Sequence, residues 1–171
     1  VIGRGELRLE NGELSNGAAI LKSGGSIQAR FFTNVFADAK ENVEIGETLT
    51  HSEVKAQNHV IVGATTPRKG YIIGGKTKAG LSVNAFILGS QANVKTRIEV
   101  GVDSSVAEAY EKAAKAVEIN REVKEAKVVI NGKVFGGVHV LCNGKSLTNT
   151  SERGPGAFTV RANTLSYGVD S

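Results

Sequence analysis

Three stretches decide the fold: Ala37-Asp38-Ala39-Lys40-Glu41-Asn42-Val43-Glu44-Ile45, Val54-Lys55-Ala56-Gln57-Asn58-His59-Val60-Ile61-Val62 and Thr77-Lys78-Ala79-Gly80-Leu81-Ser82-Val83-Asn84-Ala85. Each runs from a polar residue through Ala and two turn residues into a β-branched residue that alternates with an apolar one. Imperfect repetition at a period of about 17–23 residues is the signature of a solenoid. One coil cannot bury its own Val, Ile and Ala. Coils stacked at about 4.8 Å pair each backbone with the next and create one continuous core. The expected inward positions are Val43, Ile45, Val54, Val60, Val62, Ile72, Val83, Ile87 and Ile98, with Ala37, Ala56 and Ala79 inside at tight corners.

The same character extends from Gly3 to Val102 as short β-like runs, among them Glu6–Leu9, Ala19–Lys22, Ser26–Ala29, His59–Val62, Tyr71–Ile73 and Arg97–Val100. Gly, Asn or Ser punctuates them, and helical periodicity is absent. The runs are shorter than the strands of an ordinary sandwich, about five to six residues. A generic all-β domain is the plainer alternative. With aromatics at 5% and no Trp, the core has to come from aliphatic residues; 21 Gly against 2 Pro suits tight turns rather than disorder.

At Asp103 the text changes. Ser104 or Ser105 can cap a helix, and the segment to Lys127 is rich in Ala, Glu and Lys without Gly or Pro. Its first apolar stripe, Val106, Tyr110, Ala113 and Val117, has coiled-coil spacing. A second, Ala116, Ile119, Val123 and Ala126, lies one residue out of phase, about 100° around a helix. Two antiparallel arms explain this better than one straight helix, yet no turn residue lies between them. The expectation is a coiled-coil hairpin with residues missing near 114–119. Strands return at Lys127–Ile130, Val134–Leu141 and Ala157–Ala162. Asn131-Gly132 and Asn143-Gly144 read as two-residue hairpin turns, and Asn149 to Gly156 as a loop.

Little in the sequence points to chemistry. A net charge of +4, evenly spread, gives no reason to expect nucleic acid. The single Cys142 rules out an internal disulfide framework and fits a reducing compartment; no Cys/His cluster has zinc spacing. No apolar run approaches the roughly 20 residues of a membrane span. The chain starts at Val1 and reads as a fragment. Carbohydrate-active β-helices need paired carboxylates; here Glu44 and Glu47 are the nearest approach to a pair, and solvated edges explain them more simply. Ile45-Gly46-Glu47-Thr48-Leu49 only faintly fits a hexapeptide acyltransferase repeat. His51 and His59 are spaced so that they could stack between coils, while His139 and Cys142 read as structural. Gly74-Gly75 and Gly136-Gly137 lack the Lys-Ser/Thr and helix of a phosphate loop and suit corners with positive φ.

Ser26 to Asp103 resembles the flagellar assembly protein A family of bacteria. The resemblance rests on His51-Ser52-Glu53-Val54-Lys55-Ala56, Gly70-Tyr71-Ile72-Ile73-Gly74-Gly75, Lys78-Ala79-Gly80, Leu88-Gly89-Ser90 and Thr96-Arg97-Ile98-Glu99-Val100-Gly101-Val102-Asp103, and resumes at Asn131-Gly132-Lys133-Val134-Phe135-Gly136-Gly137-Val138. It implies a mainly β protein: a right-handed parallel β-helix over 1–102, a helical coiled-coil hairpin over 103–127 and a C-terminal β segment, 128–171, packing on the β-helix. It departs from the family in having a much shorter coiled coil and no preceding N-terminal domain. The implied role is a cytoplasmic, non-catalytic scaffold or localisation module in flagellar or envelope assembly, binding protein partners and self-associating through exposed coil ends. No catalytic, cofactor-binding or metal-binding residue is expected, and no cofactor, nucleic acid or integral membrane segment. The alternative is a carbohydrate-active β-helix lyase or hydrolase.

Overall fold

The computed structural model describes residues 2–7, 19–64, 67–101, 126–161 and 163–169. These form thirteen strands: β1 (Ile2–Leu7), β2 (Ala19–Thr33), β3 (Val35–Ala39), β4 (Val43–Ala56), β5 (His59–Val62), β6 (Tyr71–Ala79), β7 (Ser82–Leu88), β8 (Thr96–Val100), β9 (Lys127–Val134), β10 (Val138–Cys142), β11 (Lys145–Asn149), β12 (Gly156–Arg161) and β13 (Thr164–Gly168). One 3-10 turn occupies Pro67–Lys69, and the described residues contain no α-helix. The expected coiled-coil hairpin, its stripes and the break near 114–119 lie outside the described residues.

The strands stack in parallel, one coil on the next. One ladder runs Ile27, Val43, Val60, Val83, Val128, in steps of 16, 17 and 23 residues before the insertion lengthens the fourth. A second runs Leu21, Ala37, Val54, Thr77, Ile98, Val140. A third runs Phe32, Leu49, Ile72, Leu88, Val134. Nearly all of these side chains are buried, and together they make one core. Each aliphatic residue taken out of water contributes about 1.5–3 kcal/mol, which is how a chain without Trp fills its interior. The 23-residue step has a local cause. Residues 63–70 separate Val62 from Tyr71, where the coil below needs only 46–47 between Ile45 and Thr48.

Of the nine expected inward positions, eight are buried, and Ala37, Ala56 and Ala79 are buried too. Ile87 is the exception. Ala85 and Leu88 both point inward, so a bulge between them turns Ile87 out beside Tyr71 and Lys133. The two expected runs Ala19–Lys22 and Ser26–Ala29 are one fifteen-residue strand, because the backbone stays extended through the Ser23–Ser26 corner. Val134–Leu141 instead divides at Gly136-Gly137.

Asn131-Gly132 does not turn a hairpin. Strand β9 runs through it in parallel to β7, with Ala85 opposite Ile130 and Ile87 opposite Lys133. Two residues thus face the single Phe86, which is a β-bulge. Gly132 is needed there because a β-carbon would lie 2.6 Å from the Phe86 carbonyl oxygen. Asn143-Gly144 does turn a hairpin: φ is +45° and +75°, and Cys142 pairs with Lys145. Positive φ at both central residues is the two-residue turn that follows strand twist.

The C-terminal end of the stack is closed by antiparallel strands. β11 covers β10, so Leu147 faces Val140. β12 covers β9, so Phe158 faces Val128, and β13 covers β12. Val134 forms an antiparallel bridge with Arg153. Phe158 is fully buried and its ring lies 4.6 Å from that of Tyr167, over which Arg153 sits at 5.6 Å. Buried Asn149 holds the 150–155 loop by donating from Nδ2 to the carbonyls of Phe135 and Ser151.

Candidate functional site

The candidate residues are scattered over different faces rather than gathered into a cleft. The carboxylates come first. Ser26 donates to Glu41 Oε2 at 3.0 Å, Gln28 to Glu44 Oε2 at 2.8 Å, and Arg30 to Glu47 Oε1 at 3.0 Å. These three acids of one coil are each taken up by the coil below, Glu44 by Gln28 and Glu47 by Arg30.

The histidines occupy different columns and do not stack. His51 belongs to the corner that contains Asn34 and Gly74, and its ring lies where a Gly74 side chain would be. Asn34, His51 and Gly74 all have positive φ, at 54°, 47° and 69°. In the same corner, Ser52 Oγ accepts from Val35 N–H and Thr96 Oγ1 accepts from Gly74 N–H. His59 sits on another face, with Nδ1 2.8 Å from Ser82 Oγ, and its N–H donates to Asn42 Oδ1. His139 Nδ1 lies 3.0 Å from Thr148 Oγ1 on the C-terminal hairpin. Gly74, Gly75 and Gly137 do take positive φ at corners; Gly136 does not.

Cys142 is fully buried at the end of the Ser23, Ala39, Ala56, Ala79, Val100 column. Its thiol donates to Ala126 O at 3.1 Å. Burial pushes its pKa up from 9.0 to about 11, the opposite of what a reactive cysteine requires. Burial also raises Tyr167, against a smaller lowering by Arg153.

Two features emerge only when the coils are stacked. The first is a charged cluster on the outward face of β6 and β8. Glu99, only 8% exposed, meets Arg97 at 2.9 Å, Lys76 at 3.3 Å and Lys78 at 3.8 Å. The register explains it: Lys76 stands opposite Arg97, and Lys78 opposite Glu99. The sequence carries the signal as two alternating pairs, Lys76-x-Lys78 and Arg97-x-Glu99, whose meaning depends on knowing the register. The second feature is where the insertion is rooted. Gly101 N–H donates to Ala79 O and Lys127 N–H to Leu81 O, both on the preceding coil. A β-carbon on Gly101 would lie 3.1 Å from that of Ala126. The two residues that flank 102–125 are therefore neighbours in the stack.

The described residues contain no group of three or more His, Cys, Asp or Glu placed to hold a metal ion. Among them no helix is long and apolar enough to cross a membrane. Among the described residues the arrangement offers regular outward faces that carry polar side chains.

The fold thus defines a parallel β-solenoid interrupted at one corner. The chain belongs to the flagellar assembly protein A family: the model of the Flagellar Assembly Protein A beta solenoid domain matches residues 1–125. The match ends before Ala126, so the resemblance over Asn131–Val138 and the C-terminal cap lie beyond it. No curated protein and no solved structure matches the chain.

Proposed function

We propose that this chain is a non-catalytic scaffold or localisation module of bacterial flagellar or cell-envelope assembly, working in the cytoplasm through protein–protein binding and self-association. The family match over residues 1–125 is the observation that carries the reading. The outward faces support it, since their acids are paired with neighbouring coils instead of with one another. The buried, high-pKa Cys142 supports the absence of nucleophilic chemistry. On this reading the solenoid is right-handed and rigid, and the 102–125 excursion is a coiled-coil hairpin that meets partners.

The test is a pull-down from the native cytoplasm with the chain as bait, repeated with residues 102–125 replaced by a short linker. Flagellar or envelope assembly proteins captured by the first bait support the reading. Turnover of a polysaccharide or acyl donor by the purified chain, lost on Glu44→Gln or His51→Ala, overturns it.

A further inference from the structure

We infer that the Lys76, Lys78 and Arg97 surface around Glu99 is a docking site for an acidic segment of a partner protein, one in which Asp or Glu alternates with neutral residues. This rests on the reading of the chain as a protein-binding scaffold and specifies the chemistry of one partner. The face lies within the stack: β6 pairs with β4 and β8, and β8 with β6 and β10. The backbone there is spent on its neighbours, so recognition falls to the side chains. At other places in the described stack an acid takes a single side-chain donor: Ser26 for Glu41, Gln28 for Glu44, Arg30 for Glu47 and Lys133 for Glu152. Glu99 differs, because three cations converge on its one carboxylate, Arg97 at 2.9 Å, Lys76 at 3.3 Å and Lys78 at 3.8 Å. Joining two coils needs one such pair. Three cations leave an excess of two positive charges, held together against their own repulsion by a carboxylate that is itself withdrawn from water.

Glu99 does not exhaust these cations. The hydrogen bond from Arg97 uses Nε, whereas a guanidinium carries several further N–H donors and each ammonium three. The side chains of Lys78, Lys76 and Arg97 are 34%, 40% and 52% exposed, so their heads reach water while Glu99 does not. The excess charge is local. On the coil below, Glu53 and Lys55 stand opposite Lys76 and Lys78 and balance each other, and Asp38 stands opposite Lys55. On the coil above, His139 and Leu141 stand opposite Arg97 and Glu99. Spacing selects the occupant. Lys76 and Lys78 are two residues apart on one strand, about 6.6 Å, which is also the spacing of alternate side chains along an extended peptide. An acid-x-acid segment lying along β6 sets one carboxylate on each ammonium. Arg97, about 4.8 Å away on the next coil, adds a planar fork to the carboxylate on Lys76. Three cations do not make a phosphate track, since duplex binders contact roughly six to ten phosphates, nor a membrane patch, which takes about four to eight Lys or Arg. Contacts between exposed charges are weak and screened by salt, so the docking is of low affinity.

Fluorescence anisotropy tests this, with a labelled peptide of alternating Glu and Ser titrated with the intact chain at low salt. The variants are Lys76→Gln, Lys78→Gln and, on another face, Lys133→Gln. All three keep Arg97 on Glu99, so the carboxylate is never left alone, and a thermal melt confirms that each variant folds. The expected result is saturable binding, weakened by roughly fivefold by either Lys76→Gln or Lys78→Gln and unchanged by Lys133→Gln. Raising the salt to about 0.15 M should weaken it further. No binding at low salt, no loss on Lys76→Gln and Lys78→Gln, or an equal loss on Lys133→Gln would each overturn the inference. So would tighter binding, through the same two lysines, of a single-stranded oligonucleotide, of phosphatidylserine vesicles or of a phosphoserine peptide. A chain that ignores the acidic peptide but still captures assembly proteins would refute the acidic contact and leave the scaffold reading standing. A chain that binds the peptide through these lysines but captures no assembly protein would refute the scaffold reading instead.

Discussion

Val60 has no exposed surface and lies between Val43 and Val83 in a column of stacked aliphatics. A carboxylate there has no cation to meet and no route to water, a cost of several kcal/mol; Val60→Asp should therefore leave the protein unfolded by circular dichroism. The glycines make a sharper pair. Gly75 has φ of +74° and a β-carbon there would run into the Ser52 backbone, so Gly75→Ala carries both the left-handed penalty of about 1–2 kcal/mol and a clash with a neighbouring coil. Gly24 has nothing within 4 Å and no positive φ, so Gly24→Ala should be neutral or gain about 0.4–1 kcal/mol. Denaturant midpoints distinguish the two. Cys142 adds a pH dependence. Its folded pKa of about 11 lies above the ordinary 9.0, so the unfolded chain loses its proton first as pH rises. That contribution to stability is complete below pH 9 and declines from there towards pH 11, by up to about 3 kcal/mol at 1.36 kcal/mol for each tenfold change. Tyr167, also raised, acts in the same direction starting from its ordinary value of 10.0. Unfolding measured between pH 8 and 10 should show the slope, and Cys142→Ala should remove most of it.

At the scale of elements, what could be read from the sequence was whatever depends on a single coil. His59–Val62 is β5 residue for residue, and alternation alone placed Val43, Val54 and Ile98 inside. What could not be read depends on the neighbouring coil. Asn131-Gly132 and Asn143-Gly144 are alike in sequence, yet only the second turns. The first lies beneath a strand already running parallel, where Phe86 accepts two residues opposite one; the second leaves the last coil, where only an antiparallel return remains. The Glu99 cluster was hidden for the same reason, since its cations come from two strands one coil apart. The Asn143-Gly144 turn is open to test. Gly144 has φ of +75°, which a β-branched residue adopts only under strain, so Gly144→Val should destabilise by about 1–2 kcal/mol. The loss should appear first as faster amide exchange in β11 than in β4, because β11 is the cap and β4 has neighbours on both sides.

For the whole molecule, the decisive geometry is the point at which the stack is interrupted. Gly101 and Ala126 are adjacent, and each flanking segment is tied by a backbone hydrogen bond to the coil before it. Ile98 and Val100 continue into Val140 and Cys142, and Val83 into Val128, without needing residues 102–125. The entropic cost of closing a connection grows only slowly with its length, so shortening this one changes the folding balance little. Replacing residues 102–125 by two glycines should preserve the circular dichroism of a β protein and move the melting temperature by only a few degrees. Loss of partner capture by the shortened chain, with its fold intact, would assign recognition to the excursion and leave the solenoid as its rigid mount. Unchanged capture would assign recognition to the solenoid's outward faces, with the Lys76, Lys78 and Arg97 surface around Glu99 the first to mutate. A shortened chain that fails to fold would show that the excursion supports the stack, contrary to the closure of its roots.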